Sequence, residues 1–233
     1  METFYWKQYL TNYPDLNRFN TEQQAIRHYL RFGKSEGRTD KTICLIVIAK
    51  YKEDISFIKK FKYPVKVYDK SKDCINIGRE AETYLRYIID HYDNLPNHVI
   101  FLQGNPFDHL PKNFDLFNIT LTNSLQHIAL HYGLEEWDHT TRTSLAFKTL
   151  FDEPLPEKYV QLNAGSQYIV PKHCITCRSL DFYKTIHKVL FDTNNLSESK
   201  TNCLVCPWTL ERMWPYIFNP DLKVKEIKYQ DLI

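Results

Sequence analysis

The chain has 233 residues, 43% hydrophobic and 25% charged, a composition of folded domains rather than of disordered segments. A net charge of only +2 without a long basic run lacks the footprint of a nucleic-acid-binding protein, so no nucleic-acid partner is expected. Residues 43–49, the longest apolar run, fall far short of the roughly 20 residues that cross a bilayer, and METFYWKQYL is no signal peptide; a reducing cytoplasmic compartment is expected, with no membrane span and with cysteines free or metal-bound rather than paired.

Residues 1–40 read as a small helical module. Thr21 carries an N-cap signal, Ile26, Tyr29, Leu30 and Phe32 make an apolar stripe, and Gly33 is the expected helix stop. From residue 41 onward the pattern changes. Residues 43–49 (ICLIVIA) predict a fully buried strand, residues 55–60 a short helix, and residues 65–68 a second strand. A helix over 80–92 places Tyr84, Leu85, Ile88 and Ile89 on one face, and residues 98–102 form a third strand. This β-α-β-α-β order predicts an α/β fold: a mostly parallel, Rossmann-like sheet with helices on both faces, filling residues 41–233. Further helices are expected over 121–137, 180–191 and 208–218, and a strand over 167–170. Pro215 is expected to kink or end the last helix. With only six glycines, the chain has neither G-x-G-x-x-G nor a Walker-type loop.

Ligands of open α/β sheets sit beyond the C-terminal strand ends. Lys50, Tyr51 and Glu53 follow the first strand, and Asp69 the second. Gln103, Gly104, Asn105 and Asp108 follow the third. Asn76 and Arg79 flank the start of the helix after Gly78, a natural anion or ribose site; a surface Arg79–Glu80 pair is the plainer reading. Glu211 opens the late helix, where a carboxylate also stabilises the positive helix end.

The segment NIGREAETYLRYIIDHYDNLPNHVIFLQGNPFDH, with GSQYIV (165–170) and ERMW (211–214), resembles an uncharacterised domain family of fungi, algae and giant viruses. The segment YLTNYPDL…AIRHYLRFGKSEGR resembles a short repeat found beside glycosyltransferase domains in bacteria and giant viruses. The larger layout is similar to the GT-A glycosyltransferase fold, in which an Asn-x-Gly helix start precedes a strand ending in Asp-x-Asp. That resemblance implies a sugar moved from a nucleotide-sugar co-substrate to a glycan or protein acceptor, with Glu211 as general base. In GT-A enzymes Asp-x-Asp holds a divalent cation on the diphosphate; here the triplet is Gln103-Gly104-Asn105. Two alternatives stay open: Asp108 binds Mn²⁺ or Mg²⁺, or arginine and lysine neutralise the diphosphate. A non-catalytic carbohydrate-binding or scaffold protein on a degenerate glycosyltransferase fold is the alternative function.

Two clusters point elsewhere. Cys174-x-x-Cys177 and Cys203-x-x-Cys206 have the pair spacing of a structural zinc site, with buried free thiols as the plainer reading. His127, His131 and Glu135 repeat every four residues on the expected helix, where a metal or a surface histidine pair would account for them.

Overall fold

The computed structural model describes residues 4–72, 76–136, 142–154, 159–163, 165–192 and 206–222; for 131–136, 142–143, 159–163 and 191–192 it describes the backbone alone. The N-terminal module packs α1 (Trp6–Asn12) on α2 (Glu22–His28) around its own small core of Tyr9, Leu16 and Ala25. Thr21 caps α2 in a full capping box with Gln24, the pairing that satisfies two first-turn donors. Gly33 is not the helix stop. The chain runs on as a π turn over Tyr29–Gly33, and the left-handed residue is Gly37, with φ +69°. Gly33 is there because a Cβ would lie 2.2 Å from the hydroxyl of the buried Tyr9.

Three strands form as expected, extended by one residue at the C-terminal end: β1 (Cys44–Lys50), β2 (Val65–Asp69) and β3 (His98–Gln103). Two further strands, β4 (Gln126–His127) and β7 (Tyr168–Pro171), complete a sheet of order β2-β1-β3-β7-β4. β1 pairs with β2 and β3 in parallel, whereas β7 is antiparallel to both β3 and β4. A second sheet pairs β5 (His131–Glu136) with β6 (Tyr159–Asn163). The helix expected over 121–137 is therefore replaced by β4 and β5: its apolar spacing is compatible with both periods, and pairing with distant strands decides the outcome.

Alternation along β1 sends Val47 and Ala49 to one face and Ile46 and Ile48 to the other. The first face packs against α3 (Arg79–His91), α4 (Arg142–Phe151), α5 (Lys172–Thr176), α6 (Leu180–Asp192) and α7 (Pro207–Ile217). Trp214, Tyr84, Phe101 and Phe182 fill this larger core with almost no exposure. Helices on both faces are not observed among the described residues. The second face is closed by the chain around Ile55–Tyr63 and Pro106–Leu121, which carries 3₁₀ turns at Ser56–Lys60 and Pro106–His109. Pro64, Pro106 and Pro111 interrupt these segments, and each removes an amide donor that a longer helix needs. Pro215 lies inside α7, two residues from its end.

Candidate functional site

The chain leaves β1 toward β2 on one side and returns to β3 on the other, so the C-terminal ends of β1 and β3 flank a topological switch point, where open α/β sheets place their ligands. A cleft of about 430 Å³ occupies that position. Its walls are built by three strand ends and one helix start. Nine of the eleven residues singled out in the sequence line it; Asp69 and Glu211 do not.

From the first strand end come Lys50, Tyr51 and Glu53. The Glu53 carboxylate folds back so that Oε2 accepts from the amides of Tyr51, at 2.7 Å, and Lys52, at 3.1 Å. From the third come Gln103, Gly104, Asn105 and Asp108, with Asn105 donating to Asp108 Oδ2 at 2.7 Å. A Cβ on Gly104 would lie 2.4 Å from Glu53 Oε2. Glycine in the middle of the triplet therefore lets a carboxylate from the neighbouring strand end lie against this backbone.

Asp69 stands one step behind the cleft wall. Lys50 and Asp69 are register partners at the ends of β1 and β2, and Lys50 Nζ donates to Asp69 Oδ2 at 2.7 Å. That hydrogen bond, followed by the one from Ser71, holds the Asp69 pKa down to about 2.

The start of α3 is held by Lys70, the residue that follows Asp69 at the second strand end. Its ammonium, 2% exposed, donates to the carbonyls of Ile77 at 2.7 Å and Arg79 at 2.6 Å and pairs with Glu82 at 2.9 Å. Between those carbonyls the backbone is left-handed twice, at Gly78 (φ +69°) and Arg79 (φ +47°). A non-glycine residue there is strained, and such strain persists where the surroundings over-determine it. Burial alone would push the Glu82 carboxyl up, but His187, 3.6 Å away, and the charges of Lys70 and Arg86 bring it below its ordinary value. The pinned turn presents Arg79 to the cleft, its guanidinium 5.3 Å over the ring of Trp208. Among the described residues Arg79 has no carboxylate partner. Trp208 is 49% exposed, in contrast to the buried Trp214.

Glu80 and His109, both absent from the sequence-based selection, also line the cleft. Glu80 is open to it on one side and enclosed by protein elsewhere; burial raises its pKa, and the charge of Glu211 adds to the rise. Glu211 itself is tied to the turn before β7: its Oε1 accepts from the Gly165 amide at 2.6 Å, and its carbonyl from Tyr168 Oη at 3.3 Å. Extending the strand-end rule by one residue past Asp108 would have found His109.

A divalent cation does not find a protein-built cage here. The triplet supplies no carboxylate, and among the described residues no three His, Cys, Asp or Glu side chains are grouped to hold a metal. Among the described residues the Cys174–Cys177 pair does not converge with Cys206 either. Cys177 Sγ donates to the Cys174 carbonyl and lies 3.7 Å from that of Ile217, at the end of α7. Cys206 caps the start of the same helix, about 15 Å away at 1.5 Å per residue, while a zinc–sulfur bond is about 2.3 Å. Cys203 lies outside the described residues. Burial raises the Cys174 pKa to about 11, as suits a packing thiol. His127 and His131 fall on different strands rather than on one helix face, and His127 stacks on Tyr168 with ring centroids 4.3 Å apart.

Residues 45–136 and 123–230 match a family described as a protein of unknown function, DUF3431. The chain belongs to the DUF3431 family. The matched region spans all five strands of the main sheet and the whole cleft, and leaves the N-terminal helical module outside. No curated protein and no solved structure matches the chain.

Proposed function

We propose that this DUF3431 domain is a glycosyltransferase that binds a nucleoside-diphosphate sugar in the switch-point cleft. One observation carries the reading: the Asn76–Arg79 helix start and the Gln103–Asn105 strand end, the two motifs of the GT-A resemblance, face each other across one polar cleft. A cleft lined by charged and amide side chains suits a phosphorylated, polyhydroxylated ligand rather than an apolar one. Arg79 is the group for the diphosphate, because its planar guanidinium has no carboxylate partner among the described residues and a guanidinium pairs bidentately with phosphate oxygens. The positive end of the 13-residue helix α3 adds to that attraction. Glu53, Asn105 and Asp108 offer acceptors for sugar or ribose hydroxyls. Charge on the diphosphate is balanced in this reading by Arg79 and the helix end, and a bound Mn²⁺ or Mg²⁺ would take its ligands chiefly from phosphate and water.

The test is a thermal-shift series with UDP, GDP and their hexose conjugates, each with and without Mn²⁺. A ligand at 100 times its Kd stabilises the folded state by about 2.7 kcal/mol, and at least one of these ligands is expected to do so. No shift with any of them at millimolar concentration overturns the reading. Shifts with free glycans alone identify a carbohydrate-binding protein without transferase activity.

A further inference from the structure

The turn at Gly165–Gln167 gathers groups that the donor reading does not use. Gly165 has φ +78° and sits against the His109 side chain, where a Cβ would lie 3.0 Å from both Cβ and Cγ of that histidine. Its amide is held by Glu211. The next carbonyl, of Ser166, accepts from the buried Tyr84 hydroxyl at 2.7 Å. Tyr84 stands one helical turn after Glu80, on the same face of α3. Glu80, Glu211 and His109 therefore converge on one turn from α3, α7 and the 3₁₀ segment after β3. Three buried polar atoms in this region, Ser166 Oγ, Gln167 Oε1 and His109 Nδ1, have no hydrogen-bond partner among the described residues. Buried polar atoms are nearly always satisfied, so a water or a ligand hydroxyl belongs there.

We propose that Glu80 is the catalytic base of the transferase, facing the acceptor hydroxyl beside the Gly165 turn, and that Glu211 is a positioning residue that fixes this turn. The assignment rests on the glycosyltransferase reading above. Glu80 lines the cleft, whereas Glu211 does not and has one carboxylate oxygen committed to a backbone amide. In the step, the Glu80 carboxylate takes the hydroxyl proton as the acceptor oxygen bonds to the anomeric carbon. The bond from that carbon to the diphosphate oxygen breaks, and the leaving group departs with the electron pair as the nucleoside diphosphate. The proton then passes from Glu80 to water.

The charged and titratable groups around Glu80 are Glu211 from α7, Arg79 beside it, Lys70 after β2, Tyr84 on α3, Tyr168 on β7 and, in the same cleft, His109 from the 3₁₀ segment after β3. Lys70 is committed to Glu82 and Arg79 stacks on Trp208. The net surroundings raise the Glu80 pKa, toward the range where a carboxylate is an effective base near neutral pH.

The experiment compares the parent with Glu80→Gln and Glu211→Gln, using UDP- and GDP-hexoses with water as acceptor and reading nucleoside diphosphate release and thermal shift. Glu80→Gln is expected to keep the ligand-induced shift, to lose about 10²–10⁴-fold in kcat, and to lose the acidic limb of the pH–rate profile. Glu211→Gln is expected to melt lower and to retain that limb. An active parent whose Glu80→Gln variant turns over within threefold overturns the assignment and leaves the donor reading intact. Loss of the acidic limb in Glu211→Gln instead also overturns it. A parent that shifts with none of the ligands removes the donor reading, and the base assignment with it.

Discussion

The carboxylate of Glu53 lies where a side chain on Gly104 would have to start: Oε2 is 2.4 Å, and Cδ 2.7 Å, from the position of a Cβ there. The Ala49 carbonyl, 3.1 Å from the same point, closes the other side. Gly104→Ala must then move Glu53 off the two amides it accepts from. Hydrogen bonds to charged groups are worth about 1.5–3 kcal/mol, so a stability loss of that order is expected by denaturant titration. The ligand-induced thermal shift should shrink as well. A variant with parental stability and an unmoved Glu53 would show that this backbone has slack the contact distances do not indicate.

Lys70 is the pin of the α3 entrance. Removing one partner of a buried ion pair costs about 3–5 kcal/mol when the other is left uncompensated; Glu82 keeps Arg86 at 3.1 Å, so Lys70→Met should destabilise by no more than that amount. Adding Glu82→Gln should recover part of the loss, because the two side chains share one interaction and their effects are not additive. Fully additive losses in that double-mutant cycle would mean that the pair contributes little coupling.

Asp69 makes part of the stability depend on pH. Its folded pKa, about 2, lies below the ordinary 3.8, so its contribution is fully present above the ordinary value and is lost as pH falls from there toward 2. Asp69→Asn should lower the melting temperature at pH 7 and should match the parent near pH 2. A constant difference across this range would assign the effect to packing rather than to the Lys50 contact.

Glu80 carries the opposite sign. Its pKa is raised from 4.5, so the native state holds the proton more tightly than the unfolded chain, and stability falls as pH rises from about the ordinary value through the raised one. Glu80→Gln should therefore melt higher than the parent at pH 8, with the difference closing by pH 4. Such a gain in stability beside a loss of turnover is the trade expected at a functional site. A variant that melts lower at both pH values would place Glu80 among the structural residues.

The sequence alone determined the parallel strands β1, β2 and β3, the helices α3, α6 and α7, and nine of the residues that line the cleft. Those elements are specified locally. Buried parallel strands read as unbroken apolar runs, helices show their stripe, and polar strand ends mark where side chains leave the core. Only the tertiary structure decided the rest. The run over 121–137 became strand because β7 and β6 offer partners far away in sequence, and no local period reports a partner. The helices gathered on one face of the sheet because proline-broken segments closed the other. Glu211 resembled the working carboxylate of GT-A enzymes and was expected to open its helix; it lies instead one turn inside α7, whose first turn holds no acidic residue, and the fold spends it on the Gly165 amide and brings Glu80, from a helix about 130 residues earlier, to the cleft wall. Which carboxylate meets a ligand depends on what else lies within hydrogen-bonding distance, and that is set by packing between elements far apart in the chain.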